Sequence, residues 1–213
     1  MPRPSQQLDQ ALLDAGRALY AELGCAGLSQ RRVARHAGVS PGLLHYHFAS
    51  KEAFLRALLQ QLYEQMFAGL QAAAGGAAAP LERLRQALAA LARFVRAQRP
   101  LLLRLAADAV AGEAVAREFV QANAPRHVGL LLRLMAEARH HGALREGAAL
   151  QQFGLLMGAV MLPLLVAPAL PALKLAPRKR VEAELCSDAA IDERIALALA
   201  ALLPARPLRK ARA

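Results

Sequence analysis

The run from residue 29 to residue 48, SQRRVARHAGVSPGLLHYHF, constrains the fold more than any other part of the chain. Ser29 is a helix cap, its oxygen accepting from a free first-turn N–H. Val33, Ala34 and Ala37 fall at helical spacing and give that helix an apolar side. Ala34 is small enough for a second helix to cross it closely. Gly38 stops the helix, since glycine tolerates the left-handed conformation of a sharp exit. Val39 fills the angle. Ser40 and Pro41 start the next helix with a capping hydroxyl and a proline whose missing N–H costs nothing there. Leu44 points back into the crossing. The spacing predicts two short helices in a tight turn. A structural hairpin explains the turn alone. It does not explain an outer face of Gly42, Leu43, His45, Tyr46 and His47 beside Arg31, Arg32 and Arg35. That face reads as a surface that lies in a DNA groove.

The same residues resemble the TetR-type bacterial transcriptional regulators. Their amino-terminal pattern is approximately I/V-A-x-x-A-G-V-S-x-G-x-L-Y-x-H-F-x-x-K. Here it stands as Val33-Ala34, Ala37-Gly38-Val39-Ser40, Gly42, Leu44, Tyr46-His47-Phe48 and Lys51, preceded by Gly24, Gly27 and Ser29. The likeness covers roughly residues 5 to 60. The chain departs from it at His45, usually Tyr, and at Leu43, usually small. Both lie on the groove-facing side, so they bear on which sequence is read. The resemblance implies an all-α fold: a three-helix helix-turn-helix DNA-binding domain, joined by a long fourth helix to a helical ligand-binding and dimerisation domain. It implies domains at 1–66 and 67–203, with a basic tail at 204–213 that reads as disordered.

Composition agrees. Alanine and leucine dominate the 213 residues, and aromatics are only 4%, which argues for helices rather than strands. The net charge of +11 favours an anionic partner. It is spread evenly, +3 over 1–60, +4 over 61–173 and +4 over 174–213, so the motif locates the DNA site and charge does not. Cys25 and Cys186 have no metal-like spacing, and the polar start MPRPSQQLDQ lacks a signal-peptide core; both suggest a reduced, cytoplasmic protein. Six histidines invite a metal, but His45 and His47 do not share a helical face, and His140 and His141 are adjacent at a helix end. No metal, no cofactor and no enzyme activity are expected. The reading from another class is a helical ligand-binding or interaction protein whose motif no longer reads a specific site.

In chain order, residues 1–5 read as a loose arm. Leu8, Leu12, Ala15, Leu19 and Leu23 mark a first helix ended by Gly24. Ser50 caps a fourth helix that runs past Leu70 to a glycine break in AAAGGAAAP. Helices follow at about 81–98, then 101–111 after Pro100, 113–122, and 125 to 141 opened by Pro125. Residues 153–173 carry no charge over a length that could span a bilayer. Pro163, Pro168 and Pro171 argue instead for a buried helix near 148–162 and a proline-rich loop, with no membrane role. Residues 174–186 read as a charged connection and 189–203 as the last helix. The resemblance implies that 148–162 and 189–203 form a homodimer interface.

A dimer reads two half-sites of a palindromic operator roughly 34–36 Å apart. Ser29, Tyr46, His47 and Lys51 are assigned to phosphates of double-stranded DNA, and Gln30, Pro41, Leu43 and His45 to the groove floor. Ser40 and Gly42 complete the close approach, and Arg31 and Arg32 serve either role. Gln30 suits an adenine edge and Leu43 a thymine methyl. The resemblance also implies a small-molecule effector bound in the second domain. Its candidate lining is Met66, Phe67, Phe94, Leu105, Phe119, Met135, Phe153, Met157 and Met161, with Arg104, Asp108 and His127 as orienting polar groups. Few aromatics and many leucine, alanine and methionine residues suggest a lipophilic ligand.

Overall fold

The computed structural model describes residues 4–204, and among them every regular element is helical. The helices are α1 Pro4–Gly27, α2 Gln30–His36, α3 Pro41–His47, α4 Lys51–Ala74, α5 Pro80–Val110, α6 Ala114–His140 and α7 Ala149–Val166. Two single turns follow, α8 Ala169–Ala172 and α9 Arg178–Val181. A π-helical turn at Glu182–Cys186 then leads into α10 Asp188–Ala200. The expected loose arm is therefore helical from Pro4, and the basic tail from residue 205 lies outside the described residues.

Three prolines sit inside helices rather than between them: Pro100 in α5, Pro125 in α6 and Pro163 in α7. An interior proline removes one backbone hydrogen bond and crowds the preceding turn, which is why the sequence suggests breaks there. Pro100 and Pro125 are exposed. On the solvent side water can satisfy the freed carbonyls, and each helix runs on through its proline. The two positions mark a different kind of border. The chain forms two compact units: residues up to Phe67 together with Gln98–Pro125, and Ala68–Ala97 together with the residues from Arg126 onward. By contact, the first unit includes the returning segment 98–125.

In the first unit, Leu12 and Tyr20 of α1 and Phe54, Leu55, Leu58 and Leu59 of α4 are buried to 1% exposure or less. Burying each such side chain contributes roughly 1.5–3 kcal/mol. The two helices approach so closely that a Cβ added at Gly16 would lie 2.5 Å from both Leu58 Cδ1 and Phe54 Cζ. A polar seam borders this contact, with Arg17 Nη2 donating to Gln61 Oε1 and Gln65 Oε1, each at 3.0 Å.

In the second unit, Leu84 and Leu88 of α5, Leu131 and Met135 of α6, Leu156 and Val160 of α7 and Ile191 and Ile195 of α10 form the core. Arg93 of α5 grips Asp188 at 3.3 Å and Asp192 at 3.0 Å, while Arg96 Nη1 donates to the Cys186 carbonyl at 2.6 Å. These bonds seat the start of α10. The segment 174–186 is thus ordered into α9 and the π-turn instead of a plain connection.

α7 is uncharged and by length and composition could cross a membrane, yet it packs against α10. Only 28% of it is buried. This corrects the reading of a buried helix: Leu155, Leu162 and Val166 share an exposed side, and a Cβ at Gly154 or Gly158 would meet open space.

Candidate nucleic-acid interface

α2 and α3 form as their capping residues dictate. Ser29 Oγ accepts from the Arg32 N–H and Ser40 Oγ from the Leu43 N–H, both at 3.3 Å. Val33, Ala34 and Leu44 are fully buried and make the crossing. Gly38 has φ +70°, and the Val39 N–H closes the turn on the Ala34 carbonyl at 2.9 Å. A left-handed residue is required there, so glycine is needed. The same logic starts α4, where Ser50 Oγ accepts from the Ala53 N–H at 3.1 Å beside Lys51.

With Leu44 turned inward, the opposite side of α3 stands clear. Pro41, Gly42, Leu43, His45 and Tyr46 are all exposed, Tyr46 to 85%. A large aromatic left that open is unusual on a packed helix and suits contact with a partner. Gly42 has no neighbour within 4 Å of a notional Cβ, so backbone there meets the surface directly. Arg31 and Arg32 are exposed beside it, although Arg32 Nη1 also donates to the Gly27 carbonyl at 3.3 Å.

Two residues assigned to DNA from the sequence are engaged elsewhere. Gln30 Nε2 donates to the Phe48 carbonyl at 2.9 Å, tying the start of α2 to the end of α3. That bond uses one of the two amide hydrogens of Gln30 and makes the residue a clip between the two helices. His47 is 12% exposed and its Nδ1 meets Asp9 Oδ1 of α1. It joins α3 to α1 rather than standing free for a phosphate. Asp9 lies 38 positions upstream, and no local signal pairs the two.

The residues proposed for an effector pocket fall in both units. In the second, Met135 and Met161 are buried, and Phe94, His127, Phe153 and Met157 are half-buried. In the first, Met66, Phe67 and Leu105 are buried. Phe119 lines a half-open groove of about 430 Å³ with Ala57, Gln60, Val115 and Asn123. Arg104 and Asp108 correct the expectation of ligand-orienting groups. Asp108, 4% exposed, accepts from the Cys25 N–H at 2.7 Å and from Arg104 Nε at 3.0 Å. Burial alone raises its pKa; the Cys25 N–H, Tyr20 and Arg104 outweigh that and hold it below the usual carboxylate value. Nearby, burial pushes the Cys25 thiol up to about 11 and the Tyr20 phenol well above its ordinary value. This cluster is closed upon itself and braces the corner before α2.

Residues 12–58 match the family described as bacterial regulatory proteins, tetR family. The segment that holds α2 and α3 is therefore a TetR-type amino-terminal domain. Over 73 residues it is 38% identical to the HTH-type transcriptional repressor KstR2 of Mycobacterium tuberculosis, covering 34% of this chain and 36% of that protein. It is 37% identical over 75 residues to the HTH-type transcriptional regulator BetI of Rhizobium meliloti, covering 35% and 37%. The chain thus spans about a third of the length of the curated relatives it matches. The fold extends further: the solved structure of the ketosteroid transcriptional regulator KstR2 of M. tuberculosis superposes with a TM-score of 0.70 at 18% identity, covering 92% of this chain and 95% of that one. At that identity the likeness speaks for the helical fold and not for the ligand. The named relatives are a repressor and a regulator of transcription.

Proposed function

We propose that this chain is a TetR-family, sequence-specific DNA-binding transcriptional repressor, working as a homodimer on a palindromic operator and released by a small lipophilic ligand. The observation that carries the reading is the outer face of α3. Leu43, His45 and Tyr46 stand exposed on a helix whose inner residue, Leu44, is fully buried. Such a helix enters a major groove, where Leu43 packs on a thymine methyl and His45 reaches base edges. Ser29, Tyr46 and Lys51 set its register on the phosphates.

A single seven-residue helix touches few base pairs, so selectivity calls for two copies. The exposed apolar side of α7, with Leu197 of α10 at 65% exposure, supports pairing through these helices. A second copy that covers them removes several leucines from water at roughly 25 cal/mol per Å². The lipophilic ligand is supported by the leucine- and methionine-rich core of the second unit. To act, it must favour one of two arrangements of the dimer.

The test is an anisotropy titration of the purified protein with the DNA flanking its own gene and with scrambled DNA, at two salt concentrations. Preference for the flanking DNA at both is the expected result. Equal binding to both DNAs that salt abolishes means that charge alone is at work.

A further inference from the structure

The outer face of α3 leaves unused the buried polar cluster behind it. Gly24 has φ +65° and ψ −167° and turns the chain out of the main run of α1. Asp108 Oδ2 holds the next N–H, that of Cys25, at 2.7 Å. Its Oδ1 holds Arg104 Nε at 3.0 Å, and the Arg104 guanidinium lies across Gly24, where a Cβ would come within 2.0 Å of Nε. Tyr20 Oη reaches Cys25 Sγ at 3.7 Å from the α1 side. Beyond the corner, the Leu28 N–H returns to the Gly24 carbonyl at 3.2 Å, and Ser29 then caps α2. A buried carboxylate that accepts from a backbone N–H makes a short, strong, directional bond. It reaches this corner from α5, far away in sequence.

We propose that Asp108 is a positioning residue for the recognition unit: by holding the Cys25 N–H and steering Arg104 over Gly24, it sets the direction in which the chain leaves α1 and so the placement of α2 and α3. Its consequence for DNA binding rests on the function proposed above; its structural effect does not. The contact lies in the first unit and involves none of the residues that face the groove.

The experiment measures residue-resolved amide hydrogen exchange and DNA anisotropy on the full chain carrying Asp108→Ala or Asp108→Asn. In D108A, exchange at Cys25, Val39 and Phe48 rises about tenfold or more while Leu58 and Leu62 of α4 keep their protection. Affinity for the flanking DNA falls about tenfold or more. Asparagine still offers one oxygen to the Cys25 N–H but turns its amide N–H2 toward Arg104, so D108N recovers part of the protection and affinity lost in D108A and falls close to the Arg104→Gln protein. Faster exchange confined to Cys25 and Ala26 overturns the proposal, as does a D108A protein that binds DNA as selectively and tightly as the wild type. A wild type with no sequence preference refutes the DNA-binding reading instead, and the exchange arm then decides. If D108A does not fold, Arg104→Gln keeps the bond to Cys25 and removes the guanidinium from Gly24. A smaller rise at the same α2–α3 amides is expected, and no change there overturns the proposal.

Discussion

Gly24→Ala isolates the backbone corner that leads into α2. At φ +65° and ψ −167° the residue occupies a region nearly reserved for glycine. Forcing a side chain into it costs about 1–3 kcal/mol. The new Cβ also lies 2.0, 2.3 and 2.4 Å from three atoms of the Arg104 guanidinium, so that group must move. Moving it breaks the 3.0 Å bond to Asp108, a hydrogen bond to a charged acceptor worth about 1.5–3 kcal/mol. The sum is roughly 2.5–6 kcal/mol, discounted towards the lower end because Arg104 is 35% exposed. Urea unfolding followed by circular dichroism reads the loss as a lower midpoint with an unchanged slope. Gly42→Ala is the control, since nothing approaches its Cβ and its φ is not positive. It stays within about 0.5 kcal/mol of the wild type, as surface substitutions do. A Gly24→Ala protein equally close to the wild type refutes the reasoning.

Leu162→Glu combined with Leu197→Glu places charges on the exposed sides of α7 and α10; in sedimentation equilibrium the proposed pairing predicts a dimer for the wild type and a monomer for this variant. Stability falls at alkaline pH. Folded-state values raised for Cys25, to about 11, and for Tyr20 favour their neutral forms. That contribution is complete below the unfolded values and is lost as pH climbs past about 9 and upward through 11, which thermal melts across that range detect. For the same reason Cys25, 2% exposed, resists an aromatic disulfide reagent in the native protein and reacts after unfolding.

The turn between α2 and α3 is legible in the sequence because every signal in it is local. Ser29, Gly38, Ser40 and Pro41 act within four residues of themselves, and Val33, Ala34 and Leu44 are buried as their spacing requires. Reading fails where partners are distant. His47 meets Asp9, Gln30 meets Phe48 and Asp108 meets Cys25, and no short-range pattern links these pairs. Proline mislead the helix boundaries for a related reason. Its local cost at Pro100 and Pro125 is real, but buried residues on either side, such as Leu91 and Leu101 in α5 and Ala116 and Leu131 in α6, keep the helices continuous. The exposed side of α7 carries the same lesson. Hydrophobicity announces that a face is to be covered, and the chain's own packing leaves part of it open.

The most direct measurement compares the affinity for flanking DNA with that for scrambled DNA in the wild type and in His45→Ala, Tyr46→Ala and Lys51→Ala proteins. His45→Ala removes a base-facing group and lowers the ratio by the equivalent of about 1–3 kcal/mol, roughly 5- to 150-fold. Tyr46→Ala and Lys51→Ala remove backbone contacts and weaken both DNAs alike. A wild-type ratio near one, or a ratio that His45→Ala leaves unchanged, contradicts the assignment of α3 as the element that reads sequence.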